Sequence, residues 1–212
     1  LTNSQIGGRR NIIINGNMKV AQRSTSATGL GASSGYFGLD RFQIFFNTSG
    51  RLTMSQEADG PSGFANSMKL ACTTADTSIA STELTILSQA IEAQDLQQLK
   101  KGTSDAEKFT LSFYVKGNAN ATYAVEVNDS DNSRRIGQTF SVTTSWNRIV
   151  LTFDADTTGA LNDDNGVGFY INWWLHSGSV YNGGTFGTTW AANVDNQRAG
   201  NTTSFFDSTD RT

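Results

Sequence analysis

Bulky apolar residues recur at every second position along most of this chain, and that pattern predicts β-strands with one face in a core. In residues 109–116 the apolar members of the alternation are Phe109, Leu111, Phe113 and Val115. Tyr114 belongs to the other set, which points away from that core. The segment is therefore predicted to be a strand with two unlike faces.

One short segment follows helical spacing instead. Ile91, Leu96 and Leu99 recur at intervals that one face of a helix can share, and Gly102 follows as a C-terminal stop. The sequence therefore predicts one short helix near residues 89–101.

Turn-forming residues separate several further alternating segments. Their apolar positions are Phe42, Ile44, Phe46, Leu52, Met54, Met68, Leu70, Cys72, Leu84, Ile86, Tyr123, Val125, Val127, Phe140, Val142, Ile149, Leu151 and Phe153. A first strand is predicted within residues 11–20, and residues 23–38 are predicted to form a long exposed loop. About ten short strands with one helix predict an all-β fold, an antiparallel β-sandwich of the jelly-roll type.

The composition along the chain suggests three parts. Residues 1–10 are polar and are predicted to be a connecting segment, and residues 11–185 are predicted to be the jelly-roll β-sandwich. Residues 186–212 are rich in Gly, Asn and Thr, and are predicted to be a C-terminal extension or an incomplete closing strand. Trp190 is expected to anchor that extension or to join a loop-borne site, and Trp146 is expected to pack at the sandwich edge.

The most aromatic segment is VGFYINWWL at residues 167–175. The set predicted to enter the core is Phe169, Ile171, Trp173 and Leu175. The opposite set is Tyr170, Asn172, Trp174 and His176. Because a flat ring beside an amide and an imidazole offers both the apolar and the polar contacts that a sugar needs, this set is a candidate glycan site, which Tyr114 could extend. Burial of the same residues against another subunit or under a covering loop is the alternative.

Composition and charge exclude some partners. The 212 residues carry a net charge of -3 and contain no basic run, which argues against nucleic-acid binding. No apolar run approaches the roughly 20 residues of a membrane-spanning helix, so membrane insertion is not predicted. The single cysteine, Cys72, lies in phase with Met68 and Leu70 and is predicted to be a buried small hydrophobe.

Residues suited to catalysis are few. His176 is the only histidine, and the sequence contains no nucleophile elbow and no phosphate-binding loop. Three acidic pairs lie in predicted turns, and they are Asp129 with Asp131, Asp154 with Asp156, and Asp163 with Asp164. For these pairs turn formation is favoured over a calcium site, and a calcium site over glycosidic hydrolysis. The sequence thus predicts a protein that is not an enzyme and that uses no cofactor or metal.

Three segments together resemble a known family. The segments, in chain order, are RRNIIINGNMKVAQR followed by YFGLDRFQI, then LSQAIEAQDLQQLKKGTSDAEKFTLSFYVKG, then SWNRIVLTFDAD. They are similar to the carbohydrate-binding-module-like jelly-roll domain of bacteriophage tail-fibre and related virion proteins. The resemblance covers residues 9–185. In that family the domain ends with a strand resembling T-G-x-Q-L-E-x-G, which this chain lacks. Either residues 204–206 begin that strand, or a neighbouring subunit or further residues complete the sandwich.

The resemblance implies a virion protein, a tail-fibre or particle-surface module that contacts host-surface glycan. It also implies a homo-oligomer, commonly a trimer, bound to other virion proteins. A purely structural role as a capsid decoration or fibre-attachment protein, without glycan binding, is the alternative. A polysaccharide depolymerase is a third hypothesis.

Overall fold

The computed structural model describes residues 11–212, and β-strands dominate it. The strands, in chain order, are β1 (Ser26–Leu30), β2 (Gln43–Asn47), β3 (Arg51–Glu57), β4 (Ser67–Thr74), β5 (Leu84–Glu92), β6 (Phe109–Val115), β7 (Ala121–Asp129), β8 (Arg134–Val142), β9 (Asn147–Phe153), β10 (Val167–Ser177) and β11 (Ala191–Ala192). The helical segments are two 3-10 helices, Ala93–Leu99 and Asp195–Gln197, and one α-helix, α1 (Ser179–Asn182). None of the helices among these residues is long and apolar enough to cross a membrane.

The strands form two layers. One layer is a six-stranded sheet with the order β11-β8-β7-β10-β5-β2, in which every pairing is antiparallel. The other layer consists of a three-stranded sheet, β1-β3-β4, and a two-stranded sheet, β6-β9. The described chain is therefore an all-β antiparallel β-sandwich, and the prediction of fold class is confirmed.

One apolar core joins the two layers. Phe113 of β6 meets Trp173 of β10 edge to face with ring centroids 5.8 Å apart, and Phe109 lies 5.8 Å from Phe169. Cys72 is buried in the same core, as predicted, and burial raises the pKa of its thiol. The inward-facing set predicted for β10 is also confirmed, and its four buried members are Phe169, Ile171, Trp173 and Leu175.

The helix is shorter than predicted and begins later. Strand β5 continues to Glu92, and the 3-10 helix covers Ala93–Leu99. The last residues of β5 stay extended because they pair with β10, where Ile91 lies opposite Phe169. The ladder of hydrogen bonds to a neighbouring strand thus outweighs the local helical spacing.

Two predictions near the start of the described chain are wrong. Residues 11–20 form turns and not a strand. The side chain of Asn15 donates to the carbonyl of Val20 and accepts from its amide, both at 2.9 Å, so that local bonds replace the ladder of a strand. Residues 23–38, predicted as one exposed loop, contain β1, which pairs antiparallel with β3.

The C-terminal residues pack along the sandwich. Residues 204–206 lie outside every strand, so the alternative in which they begin a closing strand is wrong. Their aromatic side chains close this end of the core instead, because Phe205 and Phe206 are both buried there. The amide of Phe205 donates to the carbonyl of Leu175 at 2.8 Å, which fixes the tail to the end of β10.

Candidate functional site

The structure separates the five residues predicted to bind a ligand. Trp174 and His176 are each 0% exposed and Asn172 is 4% exposed. Tyr170 is half-buried on the same face of β10 as Asn172 and Trp174. A register shift after Trp174 sets His176 opposite Thr85, and its ring packs edge to face on buried Phe206 of the main core. Tyr114 lies on β6 in the other layer and is 41% exposed. The predicted site requires exposed side chains, and this prediction is wrong for Trp174, Asn172 and His176, which are buried. Tyr114 does not extend their surface.

A C-terminal segment of the chain covers the outer face of β10, as the covering-loop alternative predicted. We call residues 179–201 the covering segment. The ring of Tyr181 lies 5.4 Å from that of Trp174, and the guanidinium of Arg198 lies 5.3 Å over the same indole. Ala199 is buried in this small apolar cluster. Trp174 thus contacts the chain itself and not water.

A buried carboxylate lies beneath the covering segment. Glu126 of β7 is fully buried and accepts two hydrogen bonds from Arg198, at 2.7 and 3.0 Å. Asn172 Nδ2 and Trp174 Nε1 donate to the same carboxylate at 3.0 and 3.1 Å. Burial acts to lower the pKa of Arg198, but the bonds and the charge of Glu126 raise it above its ordinary value. The polar side chains of this face therefore offset the cost of burying Glu126.

Tyr114 has a different setting. Its ring lies 5.8 Å from that of Phe64, which is 43% exposed. Two positions along the same face of β6, Lys116 Nζ lies 2.5 Å from Asp59 Oδ2 and 5.0 Å from the ring of Trp146. This surface combines three aromatic side chains with an ion pair.

An open cleft of about 330 Å³ borders Asp59, Lys116 and Trp146. It lies beside β4 and β6, which are not hydrogen-bonded to each other. The residues that line it include Met68 and Leu70 of β4, Lys116 and Asn118 at the end of β6, and Trp146 before β9. We call it the β4–β6 cleft. Its volume lies in the range of small-molecule sites, about 300–1,000 Å³.

Charges of both signs meet at the β4–β6 cleft. Glu57, Asp59, Lys69 and Lys116 all line it. The hydrogen bond from Lys116 lowers the pKa of the Asp59 carboxyl below its ordinary value, against a smaller opposing effect of burial. Asp59 is therefore an ionised acceptor at neutral pH. Trp146, which was predicted at the sandwich edge, adds a half-buried indole to this polar surface.

Two of the acidic residues singled out in the sequence surround a buried lysine. Lys101 Nζ lies 2.6 Å from Asp129 Oδ2 and 3.1 Å from Asp156 Oδ2. It also donates to the carbonyls of Thr158 and Gly159, at 2.8 Å each. The ammonium thus occupies the centre of this oxygen cage, which is the position that a calcium ion would need.

The same cluster anchors the covering segment. Burial acts to raise the pKa of Asp156, but hydrogen bonds from Arg134 and Lys101 outweigh it, and the pKa lies below its ordinary value. The ring of Trp190 lies 5.3 Å from Lys101 Nζ, and its Nε1 donates to the carbonyl of Asp154 at 2.7 Å. The predicted role of Trp190 as an anchor of the C-terminal extension is confirmed.

Two other acidic residues of those pairs accept backbone hydrogen bonds. Asp131 Oδ2 accepts from the amide of Asn162 at 2.9 Å, and Asp164 Oδ1 accepts from the amide of Gly166 at 2.9 Å. The Asp164 contact is a turn contact of the kind that the sequence favoured, whereas the Asp131 contact joins two loops 31 positions apart.

No family model and no curated protein matches the sequence of this chain. A solved structure described as "CBM4 structure and function" is similar to it in shape, with a TM-score of 0.38 at 13% sequence identity. The alignment covers 89% of this chain and 99% of that chain. A likeness at this score assigns no function to the residues described above.

Proposed function

We propose that this protein is a non-catalytic virion module that binds a host-surface glycan through the β4–β6 cleft and the adjoining Tyr114–Phe64 pair. The observation that carries the proposal is an open cleft that combines the indole of Trp146 with several ionised groups, with the exposed Tyr114–Phe64 ring pair two residues before Lys116 of its lining. A sugar ring presents apolar C–H faces and hydroxyl edges, so this combination suits carbohydrate better than it suits a purely apolar ligand.

The aromatic pair supplies the flat apolar contact. Tyr114 and Phe64 leave 41% and 43% of their surfaces in water, although each could bury a large apolar area. Exposed aromatic rings that adjoin a cleft are typical of a binding surface. A sugar ring that stacks on Tyr114 would cover that apolar surface.

The ion pair supplies the polar contacts. A carboxylate has about four acceptor positions and an ammonium has three donors, so Asp59 and Lys116 retain bonding capacity beyond their own contact. Hydroxyl groups of a sugar can donate hydrogen bonds to the Asp59 carboxylate and accept them from the Lys116 ammonium. The lowered pKa of Asp59 keeps the acceptor charged at neutral pH.

The virion context comes from the sequence resemblance. On that basis we place the module in a tail fibre or on the particle surface, as a homotrimer that contacts other virion proteins. The location in the virion, the trimeric state and the contacts with other virion proteins go beyond the fold and are part of the proposal.

A structural role is the second candidate, and one observation favours it. Val150 is 55% exposed on the outer face of β9, where it lies opposite Ser112 of β6. Val150 and Tyr114 are the two large apolar side chains on an outer face whose other members are Thr110, Ser112, Arg148 and Thr152. A capsid-decoration or fibre-attachment protein could bury that surface against another chain without binding glycan.

The test compares Tyr114→Ala and Trp146→Ala with the unaltered chain on a glycan array and on host cells. We expect each change to weaken binding by roughly tenfold or more, as truncation of a central aromatic contact does. Tyr36→Ala is the matched control, because Tyr36 is 42% exposed, its ring lies under Arg23, and it belongs neither to the Tyr114–Phe64 pair nor to the residues that line the cleft. Melting temperatures show that each variant is folded.

Three outcomes count against the proposal. Unchanged binding by Tyr114→Ala and Trp146→Ala would remove the cleft as the site. Loss of oligomer on light scattering in Tyr114→Ala, with no glycan bound by the unaltered chain, would favour the structural role. Release of reducing ends from host polysaccharide would replace the non-catalytic role with a depolymerase.

A further inference from the structure

We propose that Asp76, Glu83 and His176 form a binding site for one divalent transition-metal ion of the zinc class. Asp76 and Glu83 lie in the connection between β4 and β5, and His176 lies near the end of β10. None of the three lines the β4–β6 cleft, so this site is independent of the proposed glycan site.

The ligand atoms are already close together. One imidazole nitrogen and one oxygen from each carboxylate all lie within 4.8 Å of one another. His176 Nε2 is 3.3 Å from Glu83 Oε2. Zinc bonds of about 2.0–2.2 Å place neighbouring ligands of a tetrahedral site roughly 3.3–3.6 Å apart. Closing the remaining separations of at most 4.8 Å to this range would complete the geometry.

His176 Nε2 and Glu83 Oε2 form a long hydrogen bond. A charge-assisted bond between an imidazole and a carboxylate is about 2.7–2.9 Å long, whereas His176 and Glu83 are 3.3 Å apart. A separation of 3.3 Å is also that of neighbouring ligands around one zinc ion.

Neighbouring groups hold the three side chains in place. His176 Nδ1 bonds with Ser204 Oγ at 2.8 Å, which directs Nε2 towards the carboxylates. Asp76 Oδ2 accepts from Thr48 Oγ1 at 3.1 Å, and Glu83 Oε2 accepts from the amide of Ala80 at 3.1 Å. Metal-binding histidines and carboxylates are oriented by such outer contacts, and here the outer contacts already exist.

The charge of the group calls for a cation. Asp76 and Glu83 are 6% and 7% exposed, and among the described residues neither forms an ion pair with a lysine or an arginine. Two such buried carboxylates are costly, and a divalent ion removes that cost.

The donor set selects the class of metal. Calcium and magnesium prefer oxygen ligands alone, whereas an imidazole nitrogen suits zinc and its neighbours among the transition metals. Three protein ligands leave one coordination position for water. The ion would tie the connection between β4 and β5 to the end of β10. It would also brace the C-terminal tail, because the Asp76 amide donates to the carbonyl of Phe206 at 2.8 Å.

The test uses the untagged chain after treatment with a chelator, titrated with zinc chloride by calorimetry and checked by elemental analysis after dialysis. We expect one zinc per chain. At a zinc concentration about 100 times the dissociation constant, the melting temperature should rise by about 5–10 °C. Glu83→Gln and Asp76→Asn should each weaken binding at least tenfold, whereas Asp154→Asn, at an exposed carboxylate, should leave it unchanged.

A second measurement needs no variant. His176 is the only histidine, so the imidazole nitrogen signals in NMR spectra of the unaltered chain report on this site alone. Zinc should shift the Nε2 signal. Absence of stoichiometric zinc binding, zinc binding that leaves Nε2 unchanged, binding that survives both carboxylate changes, or binding of calcium but not zinc would each overturn the proposal.

Discussion

The outer faces of β10 and β6 present similar sequence patterns to the solvent side of the sandwich but meet different surroundings. On β10, Trp174 lies beneath the covering segment and donates to a buried carboxylate. On β6, Tyr114 remains 41% exposed, two residues before Lys116 of the β4–β6 cleft. An aromatic residue on the outward face of a strand therefore does not by itself identify a ligand site. Whether another part of the chain covers that face decides its role.

The polar neighbours of each ring differ in the same way. Glu126 and Arg198 form their ion pair under the covering segment, where Glu126 is fully buried. Asp59 and Lys116 form theirs at the surface, where both remain able to bond with a ligand. The buried pair contributes to the fold, whereas the exposed pair is worth little for stability and is available for recognition.

The largest expected effect is on the free energy of unfolding, and it differs between substitution of Trp174 and substitution of Tyr114. Trp174→Ala should lower the free energy of unfolding by about 3–5 kcal/mol, because it empties a fully buried site and removes a donor to Glu126. Tyr114→Ala should lower it by about 1 kcal/mol or less. Urea unfolding measures both. Equal losses would show that the face of β6 is also covered, and the comparison would fail.

The next effect tests the buried ion pair. Arg198→Met should cost about 3 kcal/mol in urea unfolding, because it leaves the Glu126 carboxylate buried without its cation. Adding Glu126→Gln to that variant should restore part of the loss, since an amide needs no counter-charge. Arg148→Met, at an exposed position of β9, serves as the control and should change stability by less than about 0.5 kcal/mol. Strictly additive losses in the double variant would argue against coupling of the pair.

The smallest effect is a pH dependence that distinguishes two carboxylates with lowered pKa values, buried Asp156 and exposed Asp59. Because the unfolded chain takes up a proton at a higher pH than folded Asp156 does, the contribution of Asp156 to stability is complete above the ordinary aspartate pKa of about 3.9. It is lost as the pH falls through the lower, folded pKa.

Urea midpoints measured at steps between neutral pH and about pH 2 provide the test. Asp156→Asn should flatten the acid side of the profile, since the Lys101 cluster that anchors Trp190 then no longer depends on this charge. Asp59→Asn should flatten it less, because water screens the exposed pair. Equal changes in the two profiles would contradict the distinction between a buried and an exposed site.

Local patterns predicted most strands but failed where other bonds competed. Residues 11–20 look like a strand, yet Asn15 bonds with Val20 and closes a turn. The last residues of β5 look helical, yet their pairing with β10 keeps them extended. Propensity is a weak prior, and hydrogen bonds to partners outside the segment override it.

The candidate site was only partly predictable. Tyr114 was identified because its strand alternates cleanly, and Trp146 was expected at the sandwich edge. Phe64 and Asp59 were missed, because they lie in the connection between β3 and β4, where no periodicity marks a position. Only the folded chain brings Asp59 to Lys116, which lies 57 positions away.

The sequence alone determined which side chains of each strand enter the core, because alternation is a local property of an extended backbone. It predicted the sandwich and the inward set of β10 on that basis. Only the tertiary structure decided which outward face stays open, because the cover comes from a distant part of the chain. Arg198 meets Glu126 across 72 positions of sequence, and no local period encodes a contact of that range.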